Sequence, residues 1–295
     1  MLPDFPPVLY HYTSTDGLIG IVRNQELWAT DIEYLNDSEE LTHVSAELTE
    51  RIDSKILSLG GAQIQNDRED PRSSQILVLL KLREYIGFVQ AHENEERAYI
   101  TCFCEKDDLL SQWRGYAGAG GYALGFNSLK LDPVQSDGLF TPRMMRVLYG
   151  AVQAREALDE VVTKLAGSPT AHPGVQAWHE EINVLRMLAT VKNPGFAEER
   201  EWRTVTTSHY NKRKYGAAAF APEKEHFSLE FRSGGLGIVP YVARKFPAEA
   251  LVSVTIGPGG DNLLRRRALI QLIDESLPAE VASSVEIRVS KVPFR

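Results

Sequence analysis

The stretch RAYITCFCE, residues 97–105, is rich in aromatic and β-branched side chains and predicts a β-strand. Other short stretches of this kind are spread along the chain, at residues 8–12, 26–31, 199–207, 226–233 and 251–258. These strands do not alternate regularly with helices, as the strands of a doubly wound parallel sheet would. We therefore expect an α+β fold whose core is a mixed or antiparallel β-sheet.

Two helical insertions are expected between the strands, near residues 38–95 and 150–192. Amphipathic patterns predict the individual helices of these insertions at residues 38–59, 73–92, 152–166 and 174–190. No linker rich in proline and serine divides the chain. We therefore expect residues 1–295 to form one domain.

The composition is that of an ordinary globular protein, with 43% hydrophobic residues and a formal net charge of −8. An acidic chain argues against a whole-surface grip on nucleic acid, because that requires a basic surface. We find no signal-peptide pattern and no apolar run long enough to span a membrane. The two cysteines, Cys102 and Cys104, are expected to be reduced thiols. Together these features predict a cytoplasmic protein without a membrane partner.

Two glycine-rich stretches are candidates for phosphate binding. GAGGYA, residues 118–123, has the spacing of a dinucleotide-binding fingerprint, but it follows a predicted helix and precedes a predicted strand, the reverse of what that motif needs. IGPGGDN, residues 256–262, precedes a helix, and we favour a turn with a cap from Asp261 or Asn262 over a phosphate site. The histidines are scattered and the C-x-C motif has no further thiolates, so no metal site is expected.

The stretch FAEEREWRTV, residues 196–205, carries the most informative charge pattern. On an alternating strand, Glu199, Glu201 and Arg203 would share one face. Two neighbouring carboxylates repel each other, so the pKa of one is expected to rise unless Arg203 offsets the repulsion. The pattern fits either a solvated edge strand or a catalytic carboxylate beside a residue that positions substrate.

Aromatic residues cluster in LLSQWRGYAGAGGYALGF, residues 109–126. Trp113, Arg114 and Tyr116 would lie at the end of a helix, beside a glycine turn. Trp113 and Tyr116 are three residues apart, so we expect them on roughly one helix face. They would serve either as a stacking platform for a planar ring or as anchors in the core.

A histidine between two tyrosines, Tyr10-His11-Tyr12, lies on the first predicted strand. By alternation the two tyrosines share one face, which fits packing, and His11 points to the other. We expect His11 to face a ligand, and we expect it to line one cleft with Glu201 if both belong to one site.

In combination, the motifs LYHYTS, LWATD, YLNDSEE, ITCFCEKDDLLSQWRGYAGAGGYALGF, FAEEREWR, GLGIVPYV and SKVPFR resemble a family of uncharacterised bacterial proteins. That family is the domain of unknown function numbered twenty-nine seventy-one. The resemblance extends over nearly the whole chain, and it implies no particular chemistry.

The order of the motifs is also similar, more distantly, to that of the ADP-ribosyltransferase fold, which implies a split β-sheet. This second resemblance implies NAD as the substrate, no metal, and transfer of ADP-ribose to a protein or nucleic acid, or hydrolysis of NAD. It implies that His11 holds the NAD ribose, that Glu201 stabilises an oxocarbenium-like ribosyl group, and that Glu199 orients the acceptor. The expected substrate-binding residues are Tyr12, Thr13, Thr101, Trp113, Arg114, Tyr116 and Arg203. Cys102 and Phe103 stand where serine or threonine is usual.

The residues leave two other functions open. One is a non-catalytic module that binds a small-molecule nucleotide or a protein. The other is a metal-independent enzyme directed at RNA or phosphate, using His11 with Arg114, Arg203 or Arg232. The sequence does not distinguish a toxin from a defence or housekeeping protein, and it gives no oligomeric state.

Overall fold

The computed structural model describes residues 6–35, 38–61, 63, 70–93, 96–117, 120–131, 142–150, parts of 153–163, 173–209 and 229–293. Its strands are β1 Val8–Thr13, β2 Glu26–Asp31, β3 Glu96–Cys104, β4 Tyr122–Asn127, β5 Arg143–Arg146, β6 Leu148–Tyr149, β7 Val191–Lys192, β8 Glu201–His209, β9 Leu229–Gly234, β10 Gly237–Lys245, β11 Leu251–Ile256 and β12 Glu286–Val289. Its α-helices are Thr15–Asn24, Ser38–Ser58, Pro71–Gln90, Leu110–Gln112, Ser128–Leu131, Pro173–Leu188, Asn262–Ser276 and Ala279–Ser284.

Ten of these strands form one mixed sheet, and β6 and β7 form a separate parallel pair. Along the sheet the order is β12-β11-β4-β1-β3-β2-β10-β9, with β8 on β3 and β5 on β8. Only the β11–β12 pair is parallel among the described pairings of this sheet. The expected α+β class with a mixed, mostly antiparallel sheet is therefore confirmed.

The sheet forks at β3. Strand β8 pairs with β3 along its whole length, from Glu96 to Cys104, and so occupies one edge. The opposite edge is shared by two strands, because Tyr10 of β1 pairs with Cys104 whereas β2 pairs with Tyr99 and Ile100. Between these pairings no described strand bonds to that edge of β3. The β1 and β2 halves of the sheet diverge from this gap.

One face of the sheet is covered by the helices of both insertions. Helices Ser38–Ser58, Pro71–Gln90 and Pro173–Leu188 pack on one another and on β3 and β8. Asp70 begins the second helix by accepting a hydrogen bond from the N–H of Arg72. The predicted helix at 152–166 lies mostly outside the described residues. This layer covers the β3 residues Ala98 and Ile100 but stops short of the strand's end.

The other face packs against helices Thr15–Asn24 and Asn262–Ser276. Phe103, Phe126 and Phe246 are stacked edge to face in this second core, with ring centroids 5.1–6.2 Å apart. Asp261 caps the helix by accepting the N–H groups of Leu263 and Leu264, at 2.9 and 3.2 Å. The predicted cap is thus confirmed, and it occupies two of the amides that a phosphate would need.

Candidate functional site

A small cavity lies beside the fork, at the end of β3 that the helical layer leaves uncovered. Its volume is about 40 Å³, which accommodates water but not a nucleotide. The lining residues are Tyr10, His11, Tyr12, Cys102, Cys104, Gln112, Tyr116, Glu199 and Glu201. The structure therefore brings His11, Glu199, Glu201, Tyr12 and Tyr116 together from three separate stretches of the chain.

Glu201 belongs to a buried cluster of two carboxylates and two cations. Arg203 Nε donates to Glu201 Oε1 at 2.7 Å, and Lys192 Nζ donates to Glu201 Oε2 at 2.9 Å. The same lysine donates to Glu199 Oε2 at 2.8 Å. All four residues are at most 6% exposed. We call Lys192, Glu199, Glu201 and Arg203 the ion cluster.

The pKa of Glu201 is lowered, not raised. Burial raises it, but the charge and hydrogen bonds of Arg203, the charge of Lys192 and a hydrogen bond from the Cys102 thiol outweigh burial and hold the pKa at about 2. The expected repulsion between Glu199 and Glu201 is offset by two cations rather than by Arg203 alone. Glu201 is consequently ionised throughout the physiological pH range.

Glu199 does not share a strand with Glu201, as the alternating pattern predicted. It ends a 3-10 helix, Pro194–Glu199, and Arg200 after it has a left-handed backbone with φ of 44°. Strand β8 begins only at Glu201. The two carboxylates still converge because Lys192 bonds to both. Arg203, expected to bind substrate, is fully buried and donates its Nη1 to the carbonyl of Ala189 at 2.7 Å.

His11 fills the gap at the fork. Its Nδ1 lies 2.9 Å from the carbonyl oxygen of Cys102. Cys102 lies between the pairings of β1 and β2 on β3, where no described strand bonds to that edge. Since a carbonyl only accepts, Nδ1 carries the proton. Burial lowers the pKa of His11 and the bond to Cys102 raises it by less, so the ring is neutral and Nε2 is an acceptor.

Tyr10 and Tyr12 also line the cavity, which corrects the interpretation that they serve packing alone and only His11 meets a ligand site. The Tyr12 hydroxyl donates to the carbonyl of Lys106 at 2.9 Å and accepts the N–H of Leu109 at 3.0 Å. Tyr12 thereby fixes the loop that follows β3. Its side chain is itself 6% exposed.

Trp113 and Tyr116 do not share a face. They belong to a π-helical turn, Trp113–Ala117, which is wider than an α-turn, so a spacing of three residues does not align them. Trp113 is completely buried against Tyr12, and its indole N–H donates to Asp108 at 2.8 Å. Tyr116 is half exposed at the cavity. Of the two, only Tyr116 is placed to stack on a ligand.

The remaining expected substrate-binding residues lie away from the cavity. Thr101 points to the opposite face of β3 and donates its hydroxyl to the carbonyl of Trp28 at 3.1 Å. Thr13 ends β1, and Arg114 is exposed on the π-helical turn. Arg232, considered for phosphate binding, is on β9 and donates to Thr30. The structure does not assemble His11 with these arginines.

Sequence reasoning missed Lys192 and Tyr149. Lys192 bridges the carboxylates, and its Nζ also lies 4.9 Å from the ring centroid of Phe196. The Tyr149 hydroxyl accepts the N–H of Glu201 at 2.7 Å. The one available signal was the lysine at the end of the mostly apolar run MLATVK, because a buried carboxylate needs such a partner.

The described part of the chain lacks two further features. It contains no group of three or more His, Cys, Asp or Glu residues arranged to hold a metal ion. It also contains no helix that combines the length and the apolar character required to cross a bilayer.

Comparison with known families gives one match. The model of a family described as a protein of unknown function, DUF2971, matches residues 112–204. The matched segment holds the whole ion cluster and Tyr116, and it does not reach His11. No curated protein and no solved structure matches the chain. The chain is thus similar to this family over the segment that forms the ion cluster, while the ADP-ribosyltransferase resemblance stays a prediction.

Proposed function

We propose that the cavity at the fork is the reactive end of an NAD site, and that the protein cleaves the bond between nicotinamide and ribose. The observation that carries the proposal is the convergence of His11, Tyr116 and Glu201 on one cavity. These residues come from three distant parts of the chain. The fork at β3 also agrees with the split sheet that the ADP-ribosyltransferase resemblance implies.

The chemistry needs a carboxylate that is ionised when positive charge develops on the ribose. As the C1′–N bond breaks, its electron pair leaves with nicotinamide and the sugar becomes oxocarbenium-like. Glu201, with its pKa of about 2, stabilises that charge more than it stabilises the ground state. Water or an acceptor nucleophile then attacks C1′, giving ADP-ribose or an ADP-ribosylated acceptor.

The neutral His11 ring offers Nε2 as an acceptor, so it would accept a hydrogen bond from a ribose hydroxyl. This reverses the donor role expected of it, because Nδ1–H is already bonded to Cys102. Tyr116 would move aside to admit the ligand, since the cavity is small and this half-exposed ring forms part of its wall. Lys192 can release Glu201 and retain Glu199 as its counter-ion.

A second candidate function, a nucleotide-binding module without catalysis, is favoured by a different observation. Both carboxylate oxygens of Glu201 already accept hydrogen bonds from cations, Oε1 from Arg203 and Oε2 from Lys192. A carboxylate neutralised in this way contributes less to stabilising a ribosyl cation. This alternative predicts saturable binding of the nucleotide with no nicotinamide released.

The test is to incubate the full-length protein with NAD, measure released nicotinamide by chromatography, and measure binding by calorimetry. We expect release that Glu201→Gln reduces on the order of a hundredfold or more. Because Glu201→Gln leaves buried cations undercompensated, its folding must be checked by circular dichroism. Among the described residues, Tyr116 makes no hydrogen bond to the ion cluster, so Tyr116→Ala should leave the cluster intact. It should lower kcat/KM about tenfold, because the stacking contact with the ligand is lost.

Phe88→Ala is the matched control, since Phe88 is 44% exposed on the helix Pro71–Gln90 and does not line the cavity. It should leave nicotinamide release unchanged. Binding without release would support the non-catalytic module instead. Absence of both binding and release would overturn both functions.

A further inference from the structure

The last strand of the sheet order, β9, has one edge that is open among the described residues. It pairs with β10 on one side, and no described strand pairs with its other side. Three apolar side chains of the β9–β10 hairpin are strongly exposed: Phe231 at 60%, Leu236 at 71% and Ile238 at 71%. A strand edge with exposed apolar side chains is a template for pairing with another strand.

The charges on β9 are arranged as Glu230-Phe231-Arg232. Glu230 and Arg232 lie on one face of the sheet and Phe231 on the other, since side chains alternate. Arg232 Nη2 donates only to the neutral hydroxyl of Thr30, at 3.2 Å, and its buried Nε has no hydrogen-bond partner among the residues described. Because Thr30 lies on β2, beyond β10, the Arg232 side chain would turn from Thr30 toward the free edge of β9 to meet an acidic group there.

This pattern is self-complementary in one register. Two β9 strands could pair antiparallel about a two-fold axis perpendicular to the sheet. Residues directly opposite each other must then lie on the same face of the sheet, so one residue faces its own copy across the axis. With the axis at Phe231, Glu230 of each copy faces Arg232 of the other, and the two Phe231 rings meet. Moving the axis to Glu230 or Arg232 puts like charges opposite each other, which is destabilising.

We propose that β9 is the interface of a two-fold symmetric homodimer, in which the two sheets join into one through Phe231-centred pairing. The occupant is a second copy of this chain, because an antiparallel copy of the same strand places its Arg232 opposite Glu230 and its Glu230 opposite Arg232. A six-residue strand is a small interface, so the dimer should form in the micromolar range rather than be obligate. The proposal is independent of the NAD site.

Charge reversal tests the register by analytical ultracentrifugation of the full-length protein over a concentration series. Wild type should show a monomer–dimer equilibrium. Glu230→Arg and Arg232→Glu should each weaken it by about tenfold or more, because each places like charges across the axis. The double variant Glu230→Arg/Arg232→Glu restores opposite charges and should return to dimerisation close to wild type.

A disulfide at the axis provides a second readout. Phe231→Cys should form an intermolecular disulfide on mild oxidation, because the same residue of both copies meets at the axis. Ser233→Cys should not, since Ser233 would face Leu229 of the other copy. Leu263→Glu, at a leucine 81% exposed on helix Asn262–Ser276, is the control for adding a charge elsewhere and should leave the equilibrium unchanged.

Three results would overturn the proposal. They are a wild type that stays monomeric at every concentration, a double charge reversal no better than either single one, and a disulfide that forms through Ser233→Cys but not through Phe231→Cys. Charge rescue together with a disulfide at Phe231→Cys alone would establish both the interface and its register.

Discussion

Two buried carboxylates lie on strands that pair with β3, and their surroundings shift their pKa values in opposite directions. Glu201, beside Cys104, is 2% exposed, and Asp31, beside Tyr99, is 3% exposed. The pKa of Glu201 is lowered to about 2. Burial raises the pKa of Asp31 to about 6, and the hydrogen bond from the N–H of Glu33 offsets only part of this.

The difference lies in how many cations touch each group. Glu201 bonds directly to Arg203 and Lys192, whereas Arg97, the cation near Asp31, is hydrogen-bonded to Glu33 instead. Burial alone therefore does not set the pKa of a carboxyl group. Two buried cations, Arg203 and Lys192, keep Glu201 ionised, and the proposed NAD site needs that charge.

Arg203→Met should have the largest effect, because it removes the closest cation and leaves Glu201 buried with a single one. We expect a loss of about 3–5 kcal/mol in the free energy of unfolding, measured by urea denaturation at neutral pH. A loss as small as that of an exposed ion pair would show that the ion cluster is not desolvated as described.

Acidification should have the second largest effect, a fall in the free energy of unfolding caused by protonation of Glu201. Because the folded pKa of Glu201 lies below its ordinary 4.5, its stabilising contribution is complete above that pH and is lost as the pH falls toward 2. Urea unfolding at several pH values between these limits should show stability decreasing with acid. Glu201→Gln should show a shallower decrease than wild type, and identical slopes would contradict the assignment.

Asp31→Asn should have a smaller effect of opposite sign. Since the folded pKa of Asp31 lies above its ordinary 3.8, ionised Asp31 lowers stability at neutral pH, and that cost disappears as the pH falls below about 6. The amide keeps the oxygen that accepts the N–H of Glu33. We expect a gain of about 1 kcal/mol near pH 8 that vanishes near pH 4, measured by thermal and urea unfolding.

Arg200→Met should have the smallest effect and serves as the control for Arg203. Arg200 is exposed, and its Nη1 lies 3.5 Å from Glu105 Oε2. Such surface pairs contribute about 0–1 kcal/mol. Its unfolding free energy in urea should differ from wild type by no more than this, and a loss as large as that of Arg203→Met would remove the contrast between buried and exposed arginines.

The strands with β-branched and aromatic residues were predictable because that composition has a local cause. Strand β2 was predicted with its observed limits, 26–31, and β3 within one residue of them. Strand β10 was not predicted as a strand, since its glycine and proline lower local β propensity and its pairing with β2 and β9 outweighs them.

The site was predictable only in part. The stretches that carry His11, Tyr116 and Glu201 stood out by residue type, but their meeting depends on the fork, which long-range pairing creates. The left-handed Arg200 breaks the alternation that was expected to join Glu199 to Glu201, and the π-helical turn breaks the spacing that was expected to align Trp113 with Tyr116. The role of Lys192 could not be predicted, because it depends on the 3-10 helix Pro194–Glu199 placing Glu199 beside Glu201 at the start of β8.

Strand β3 has a consequence for how the molecule opens. Because it pairs with β1, β2 and β8, neither half of the sheet can detach without breaking hydrogen bonds to this one strand. Amide protons of β3 should exchange with solvent only through global unfolding, whereas those of β9 should exchange through local fraying. The cavity is thereby built on the segment expected to exchange most slowly, and its geometry should persist until the sheet as a whole unfolds.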